Sequence, residues 1–394
     1  MPTYPTYKLS EIARSTKGKK PKSVSKEKTD GFEIPYVDIK AFEKGIVDNY
    51  TDGENCTFCK PDDVLIVWDG ARCGFVGRGV EGAIGSTLAK ISSEKYTNDF
   101  LFYFLQSKYK VLNSNPRGVG IPHIEPNLLW NFEIPNVDKT TQLAIVSRIE
   151  DLFAELDKAV QHLRTAQQQL KTYRQAVLNH WLNNEDGKWE MVKLGEVAEM
   201  CLGKMLDKNK NKGTYQPYLR NVNVRWGGFD LDDLLEMKFE ESEQDRYGIR
   251  KGDLIMCEGG EPGRCAIWNS DIPNMKIQKA LHRIRLNDNV LNKYMYFLFV
   301  LYAQNGVLGK YFTGTTIKHL TGQSLKSVEF SLPPLAEQRR IVAEIESRLS
   351  QASTSSAYIE NALQQSEALR QSILKKAFGG ELVVSTSSTT SKGG

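Results

Sequence analysis

The chain is a duplication of itself. Lys8-Leu9-Ser10-Glu11-Ile12-Ala13 recurs as Lys193-Leu194-Gly195-Glu196-Val197-Ala198, Pro35-Tyr36-Val37 as Pro217-Tyr218-Leu219, and Asp63-Val64-Leu65-Ile66 as Asp253-Leu254-Ile255-Met256. Gly118, Ile121 and His123 recur as Gly314, Ile317 and His319, an offset of 196. That offset then holds from Gln142, Ile145 and Ile149 (Gln338, Ile341 and Ile345) to Arg174-Gln175 (Arg370-Gln371). Earlier matches sit at smaller offsets, 182 at Pro35 and 190 at Asp63, so insertions and deletions fall in the front part of each half. Solenoid repeats have periods of about 20–50 residues, so this is a duplicated domain instead. With 394 residues the chain is long enough for two hydrophobic cores.

Each half ends in a long helix. Residues 142–181 contain no Pro or Gly. Apolar residues fall at Ile149, Leu152, Leu156, Ala159, Leu163, Ala166, Leu170, Tyr173 and Val177, alternating steps of three and four. Asp138, Thr140 and Thr141 supply start signals and Gly187 lies past the end. The second helix follows Pro333-Pro334, ends at Gly379-Gly380, and carries a weaker seam: Ile341, Ile345, Leu349, Ala352, Ile359, Ala362, Leu369 and Ile373. A seam this narrow on so long a helix needs a partner. The other helix, packed antiparallel within the chain, is the expected one; homodimerisation through each helix is the alternative, since heptads alone do not set partner choice.

The globular parts read as mixed and strand-rich. Strands are expected at 64–68 and 253–256, short buried helices at 99–105 and 293–302, and a last strand at 132–135 and 328–333 that feeds each long helix. The expected fold class is α+β: two tandem mixed α/β domains separated by two long helices packed as an antiparallel coiled coil with a pseudo-twofold axis. The expected divisions are a first globule 1–141, helix 142–183, a second globule 184–337, helix 338–380, and a disordered Ser/Thr/Gly/Lys-rich tail 381–394. Apolar runs are too short to span a bilayer, and Met1-Pro2-Thr3-Tyr4 begins no signal-peptide pattern. Six cysteines in a chain this long are too sparse for a disulfide scaffold, which points to a reducing cytoplasm.

Catalytic signatures fail one by one. Gly77-Arg78-Gly79-Val80-Glu81-Gly82 matches the dinucleotide fingerprint, but the following residues read as extended rather than helical. Cys56-Thr57-Phe58-Cys59 is a single CxxC, and structural zinc needs a second ligand pair, so no metal site is expected. No Gly-Lys is followed by Ser or Thr, which removes a Walker loop. No Asn/Asp-Pro-Pro-aromatic tetrapeptide, HxxxH pair or nucleophile elbow is present. The chain reads as a binder.

Charge position suggests of what. The net charge is only +4, but basic residues follow the two matching Lys-Leu segments. Lys17, Lys19, Lys20 and Lys22, with Lys26 and Lys28, are opposed only by Glu27, and Lys204, Lys208, Lys210 and Lys212 only by Asp207. Basic loops suit phosphate contacts, although a solvated polar loop would have the same composition. Arg72, Arg78, Arg117 and His123 lie on Gly-rich turns in the first half, as do Arg220, Arg225, Arg264, Lys318 and His319 in the second. Arginine can read guanine bidentately. The paired histidines could equally pack beneath their loops.

These features resemble a known family. Ile34-Pro35-Tyr36-Val37, Asp63-Val64-Leu65-Ile66, Gly118-Val119-Gly120-Ile121 and Gln142-Leu143-Ala144-Ile145-Val146 are similar to segments of type I restriction-modification DNA specificity subunits. So are Gly252-Asp253-Leu254-Ile255, Gly314-Thr315-Thr316-Ile317, and Leu332-Pro333-Pro334-Leu335-Ala336-Glu337-Gln338-Arg339-Arg340-Ile341-Val342. The first copy departs from the pattern, with Asn136-Val137-Asp138-Lys139 where Pro-Pro-Leu is usual. The resemblance implies a non-catalytic subunit whose two target-recognition domains each read part of a bipartite site in double-stranded DNA. It implies a helix pair, with Ile149, Leu152, Leu156, Leu163, Leu170, Val177, Ile341, Ile345, Leu349, Ile359 and Ile373 in its packing, that sets the spacing and docks two methyltransferase subunits. S-adenosylmethionine would come with those subunits, and ATP and Mg with restriction subunits; this chain would hold no cofactor. The DNA-binding candidates are then the basic and histidine residues above other than Lys26 and Lys28, with Thr315 and Thr316. A coiled-coil adaptor joining two protein-binding domains is the rival reading.

Overall fold

A computed structural model describes residues 4–118, 120–183, 187–207 and 209–382. The chain divides into two compact units, one of residues 1–164 and 360–394, the other of residues 165–359. Each unit therefore contains a globule and a segment of both long helices. Most of the expected tail, 383–394, and Lys208 lie outside the described residues.

The same framework is built twice. In the first unit a four-stranded sheet runs in the order Arg14–Lys17, Leu88–Ser92, Val64–Val67, Val76–Arg78. In the second the order is Ala198–Leu202, Leu281–Leu286, Leu254–Cys257, Cys265–Ile267. The central strands Val64–Val67 and Leu254–Cys257 are buried at every position, which explains their unbroken apolar runs. A second sheet holds a parallel pair in both units: Ile34–Val37 with Gly82–Ile84, and Thr214–Leu219 with Lys276–Ile277. The Gly77-Arg78-Gly79 segment is the end of an edge strand in this framework, and an extended strand follows it. A Cβ on Gly79 would collide with the Lys60 carbonyl oxygen, so close backbone approach accounts for that glycine without a nucleotide.

Each unit pairs its first strand with its last, Thr6–Lys8 with Glu133–Pro135 and Glu190–Lys193 with Glu329–Leu332. Those last strands lead into the long helices, Lys139–Leu182 and Leu335–Phe378. Both helices start three residues before the positions read from the sequence. Asp138 caps the first by accepting from Thr141 N at 2.7 Å, and the Pro334 carbonyl accepts from Gln338 N at 3.0 Å to open the second. The buried globular helices are also longer than expected, Asn98–Ser114 and Asn292–Gln304. Thr97 caps the first of them by accepting from Phe100 N.

In both units the helix segments run antiparallel. In the first, Ile145, Ile149, Phe153 and Leu156 share one core with Ile373, Leu374, Ala377 and Phe378. The Phe378 ring meets Phe100 and Phe104 edge-on, at 5.2 and 5.4 Å. In the second, Val177, Leu178 and Leu182 share a core with Ile341, Val342, Ile345 and Leu298. Of the expected seam, Ile149, Leu156, Val177, Ile341, Ile345, Ala352 and Ile373 are buried, and Leu152, Leu163, Leu170, Leu349 and Ile359 are half-buried. Ala159, Tyr173 and Leu369 are exposed instead. At the last two an arginine on the next residue takes the inner position. Arg370 lies 4.2 Å over the Phe153 ring and pairs with Asp157, while Arg174 donates to Ser353 Oγ at 3.3 Å. A guanidinium on an apolar stem can cover a ring and still reach water.

One buried side chain ties each long helix to its globule. Gln142 Oε1 accepts from Thr97 N at 2.9 Å, and Nε2 donates to the Val137 and Lys95 carbonyls at 3.1 and 3.2 Å. Gln338 repeats this on Leu291 N at 2.8 Å and on the Pro333 and Asn289 carbonyls at 2.8 and 2.9 Å. Replacing either Gln by Leu strands three backbone groups, each costing about 1–3 kcal/mol when buried unpaired. We expect Q142L and Q338L each to lower the urea midpoint of its own unit by the equivalent of about 3 kcal/mol or more; an unchanged midpoint would show the clamp to be dispensable.

Candidate nucleic-acid interface

The strand ends and the loops that follow them bring sequence-distant residues together in each unit. In the first, Asp69 follows the central strand. Its carboxylate accepts from Lys17 Nζ at 2.8 Å, and His123 Nδ1 lies 2.6 Å from its other oxygen. The loop before His123 is closed by reciprocal backbone bonds between Arg117 and His123, of 2.8 and 2.9 Å. It is fastened to the central-strand loop by Gly70 N to Pro122 O at 2.7 Å and Ile124 N to Trp68 O at 2.9 Å. Lys19, Lys20 and Lys22 are in the exposed run after Lys17, and Arg117 is exposed on its loop, with Lys17 itself half-exposed at its side chain. Lys22 has only a loose pairing with Glu54, at 3.8 Å between two exposed groups, which water and salt screen.

Two of the arginines are committed elsewhere. Arg72 pairs with Glu43 at 2.7 Å and lies 4.1 Å over the Phe75 ring. Arg78 pairs with Asp99 in the first turn of helix Asn98–Ser114 and lies 4.6 Å over Phe102. Both hold a strand or loop to its neighbour.

The second unit uses the same framework with different chemistry. Gly18 and Gly203 stand at equivalent places: their N–H groups donate to Leu88 and Leu281 carbonyls at 2.9 Å. The next residues, Lys19 and Lys204, donate backbone N–H to Ile84 and Ile277. Lys19 is exposed, but Lys204 is only 8% exposed and pairs with Glu243 at 2.5 Å while donating to the Lys238 carbonyl. Lys204 is therefore internal, which corrects its reading as a surface phosphate contact; a buried ammonium must be paired. Lys210 lies exposed beside Asp207, and Lys212 follows it at the loop's end.

Three loops converge in this unit. Leu320 N donates to Glu258 O at 2.8 Å, and Thr313 and His319 exchange backbone bonds of 2.8 and 2.9 Å, closing the loop between them. A Cβ on Gly259 would lie 3.1 Å from His319 Nδ1, so the His319 ring sits over the place that Asp69 occupies in the first unit. Thr315, Thr316, Lys318 and His319 are exposed. Arg264 donates to Glu261 at 2.7 Å and to the Asn221 carbonyl at 3.0 Å, and Asn221 Nδ2 donates to Gly259 O at 2.6 Å. Arg264 thus braces the loop. Arg220 pairs with Asp233, and Arg225 pairs with Asp230 at 3.2 Å.

Sequence reasoning misses several of these residues. Trp226 is exposed and donates from its indole to Glu261 at 2.7 Å. Lys279 is exposed, and its N–H donates to Lys204 O at 2.7 Å. Ala280 beside it adopts φ +90°, a strained conformation for a residue with a Cβ. Neither Trp226 nor Lys279 lies in a basic run, so no local charge signal marks them. Asp69 escapes notice because an acidic residue argues against phosphate until its lysine partner is seen.

Of the CxxC pair, Cys59 donates its Sγ proton to Val80 O at 2.7 Å, and burial pushes its thiol up to about 11. Among the described residues no three His, Cys, Asp or Glu side chains are grouped to hold an ion. Also among them, no helix is long and apolar enough to cross a membrane.

The duplicated α+β fold, with a closed loop fastened beside the central strand of each unit, defines a class of two-domain proteins. The family model described as the type I restriction modification DNA specificity domain matches residues 1–163 and 186–365. The chain belongs to that family, the specificity subunits of type I restriction-modification systems. It is similar to the type I restriction enzyme MjaVIII specificity subunit of Methanocaldococcus jannaschii, at 24% identity over 86% of this chain and 84% of the relative. It is also similar to the EcoKI specificity subunit of Escherichia coli K12, at 27% identity over 82% and 75%. The fold matches a chain solved in work on assembly and conformational transition of the type I R-M system (20% identity, TM-score 0.76, covering 97% of this chain and 99% of that one). It matches the HsdS subunit from Thermoanaerobacter tengcongensis at 21% identity and TM-score 0.59, covering 97% and 98%.

Two sets of outcomes follow from the geometry. Replacing Lys17, Lys19, Lys20 and Lys22 together by Ala should weaken binding to every duplex and flatten the log–log salt slope by roughly 0.9 for each phosphate no longer neutralised. K204A should instead lower thermal stability, because it leaves Glu243 without its cation; a salt-slope change at unaltered stability would return Lys204 to the interface. The second concerns acid. His282 is buried, its Nε2 lies 2.8 Å from Leu320 O at the base of the 313–319 loop, and burial lowers its pKa below 6.5. The unfolded chain then binds the proton first, so the stability that His282 contributes is complete above about pH 6.5 and is lost as pH falls toward its lower folded value. Urea titrations of the wild type from about pH 7.5 to 5 should show this decline and H282Q should flatten it.

Proposed function

We propose that this chain is the non-catalytic DNA-reading subunit of a cytoplasmic methyltransferase assembly, with each unit reading one part of a bipartite site. The observation that carries the proposal is the duplication of the loop framework: reciprocally bonded loops at 117–123 and 313–319, each fastened beside a central strand and carrying exposed polar and basic residues. A structural adaptor has no need of exposed cations on the equivalent loops of both halves, Lys19, Lys20 and Lys22 in one and Lys210 and Lys212 in the other. The long helices are the spacer between half-sites and the docking surface for two methyltransferase subunits. S-adenosylmethionine belongs to those subunits, and ATP and Mg to restriction subunits that join the assembly; no reacting group is assigned to this chain. Its contribution is to bind and orient the duplex so that the partner acts at one place. Phosphate contacts from the lysines position the duplex, and contacts from the loops discriminate sequence.

The test is an adenine-methylation map of a methylation-free host expressing the chain with its methyltransferase subunit, beside a host expressing the methyltransferase alone. A bipartite motif that appears only with both is the expected result. No new motif from soluble, associated proteins would overturn the proposal in favour of an adaptor. The helix spacer has its own measure. Four residues added at matched places in both helices lengthen them by ~6 Å. The unread gap in the motif should then grow by about one or two base pairs at ~3.4 Å each. A fixed gap would show that the helices do not set it.

A further inference from the structure

The interface carries an apolar residue that hydrogen bonding to phosphates or base edges does not explain. Ile317 is 65% exposed at the loop closed by Thr313 and His319, and Ile121, its duplicate, is 64% exposed in the loop closed by Arg117 and His123. The front parts of the two units have diverged through insertions, yet this β-branched residue stands out to the same extent in both.

The loop is built to hold it. The paired backbone bonds fix the two ends of the loop, and Leu320 N anchors its exit to Glu258 O. Gly314 adopts φ +87°, and a Cβ there would collide with the Ile317 carbonyl oxygen, so the chain folds back tightly under the isoleucine. The equivalent Gly118 has φ +95° with Ile121 O at 3.1 Å from its would-be Cβ. An isoleucine has restricted χ1 freedom, so little side-chain entropy is lost when it is immobilised. Around it stand Thr315, Thr316 and Lys318, all exposed, whose hydroxyls and ammonium suit phosphate and sugar. An apolar tip within a polar and cationic collar matches the wedge residues that enter a groove and partly unstack a base step.

We infer that Ile317 and Ile121 are wedges, each inserting at a base step of its own half-site and opening the stack there. This rests on the DNA-reading function proposed above. A methyltransferase must take its target base out of the helix, and a step already loosened by the specificity subunit lowers the cost of that extrusion. The isoleucines are positioning residues: they act on the duplex, and the transfer takes place elsewhere.

The experiment uses the complete chain assembled with its methyltransferase subunit and duplexes carrying the mapped motif. 2-Aminopurine is placed singly at each step of both half-sites except the methylated adenine, and its fluorescence reports unstacking. The wild type should brighten the probe several-fold at one step in each half-site. I317S should abolish the rise in one half-site and I121S in the other, with about tenfold weaker specific binding and an unchanged salt slope. I317L should retain the rise. An I317S assembly that brightens the probe like the wild type, or a wild type that binds its motif and brightens no probe, overturns the wedge while leaving the DNA-reading function intact. Absence of any motif-specific binding by the wild type overturns both. Equal melting temperatures of I317S and wild type separate a lost wedge from a misfolded loop.

Discussion

Gln142 and Gln338 each sit in the first turn of a 44-residue helix and direct all three of their hydrogen bonds to backbone groups of the adjoining globule. A charged side chain could not be buried there without a partner, and an apolar one would leave the backbone unpaired. The amide supplies both a donor and an acceptor at this point. It converts a helix, which by itself is free to pivot about its first residue, into a direct extension of the globular core. The burial of Ile145 and Ile149 beside Gln142, and of Ile341 and Ile345 beside Gln338, follows from that fixed exit angle. The rest of the structure depends on these two clamps.

The helices are consequently more than rods between domains. Their end segments are core elements of the units, with Phe378 packed among the aromatic side chains of one and Ile341 in the apolar cluster of the other. Only the intervening stretch behaves as a narrow-seam pair, and there arginines share the inner positions with apolar residues.

The loop surfaces of the two units share a scaffold and differ in chemistry. Both have a glycine pressed against backbone after the first sheet strand, and both suspend a closed loop from the residues after the central strand. Over this scaffold one unit links Lys17, Asp69 and His123 through the Asp69 carboxylate, and the other sets His319 over Gly259 and buries the lysine that corresponds to Lys19. Backbone hydrogen bonds, indifferent to side-chain identity, carry the architecture, so the side chains at the loop surface are free to change while the scaffold persists.

The duplication, the α+β class, the central strands (read at 64–68 and 253–256, found at 64–67 and 254–257), and both long helices are legible in the residue order, because periodicity and repeat matching depend only on local sequence. The helix starts are nearly so; the caps at Asp138 and Pro334 are set by hydrogen bonds one turn away. Legibility fails where a residue's role depends on what another segment brings to it. Lys204 reads as a loop cation until Glu243 is folded against it, Tyr173 reads as seam until Arg174 takes its place, and Lys279 and Trp226 carry no local mark at all. Residue order alone dictates which elements form and that they form twice, since hydrophobic spacing and backbone propensity are properties of neighbours along the chain. Which charges are buried and paired, and which face solvent, emerges only once the chain is folded, since desolvation is a property of neighbours in space.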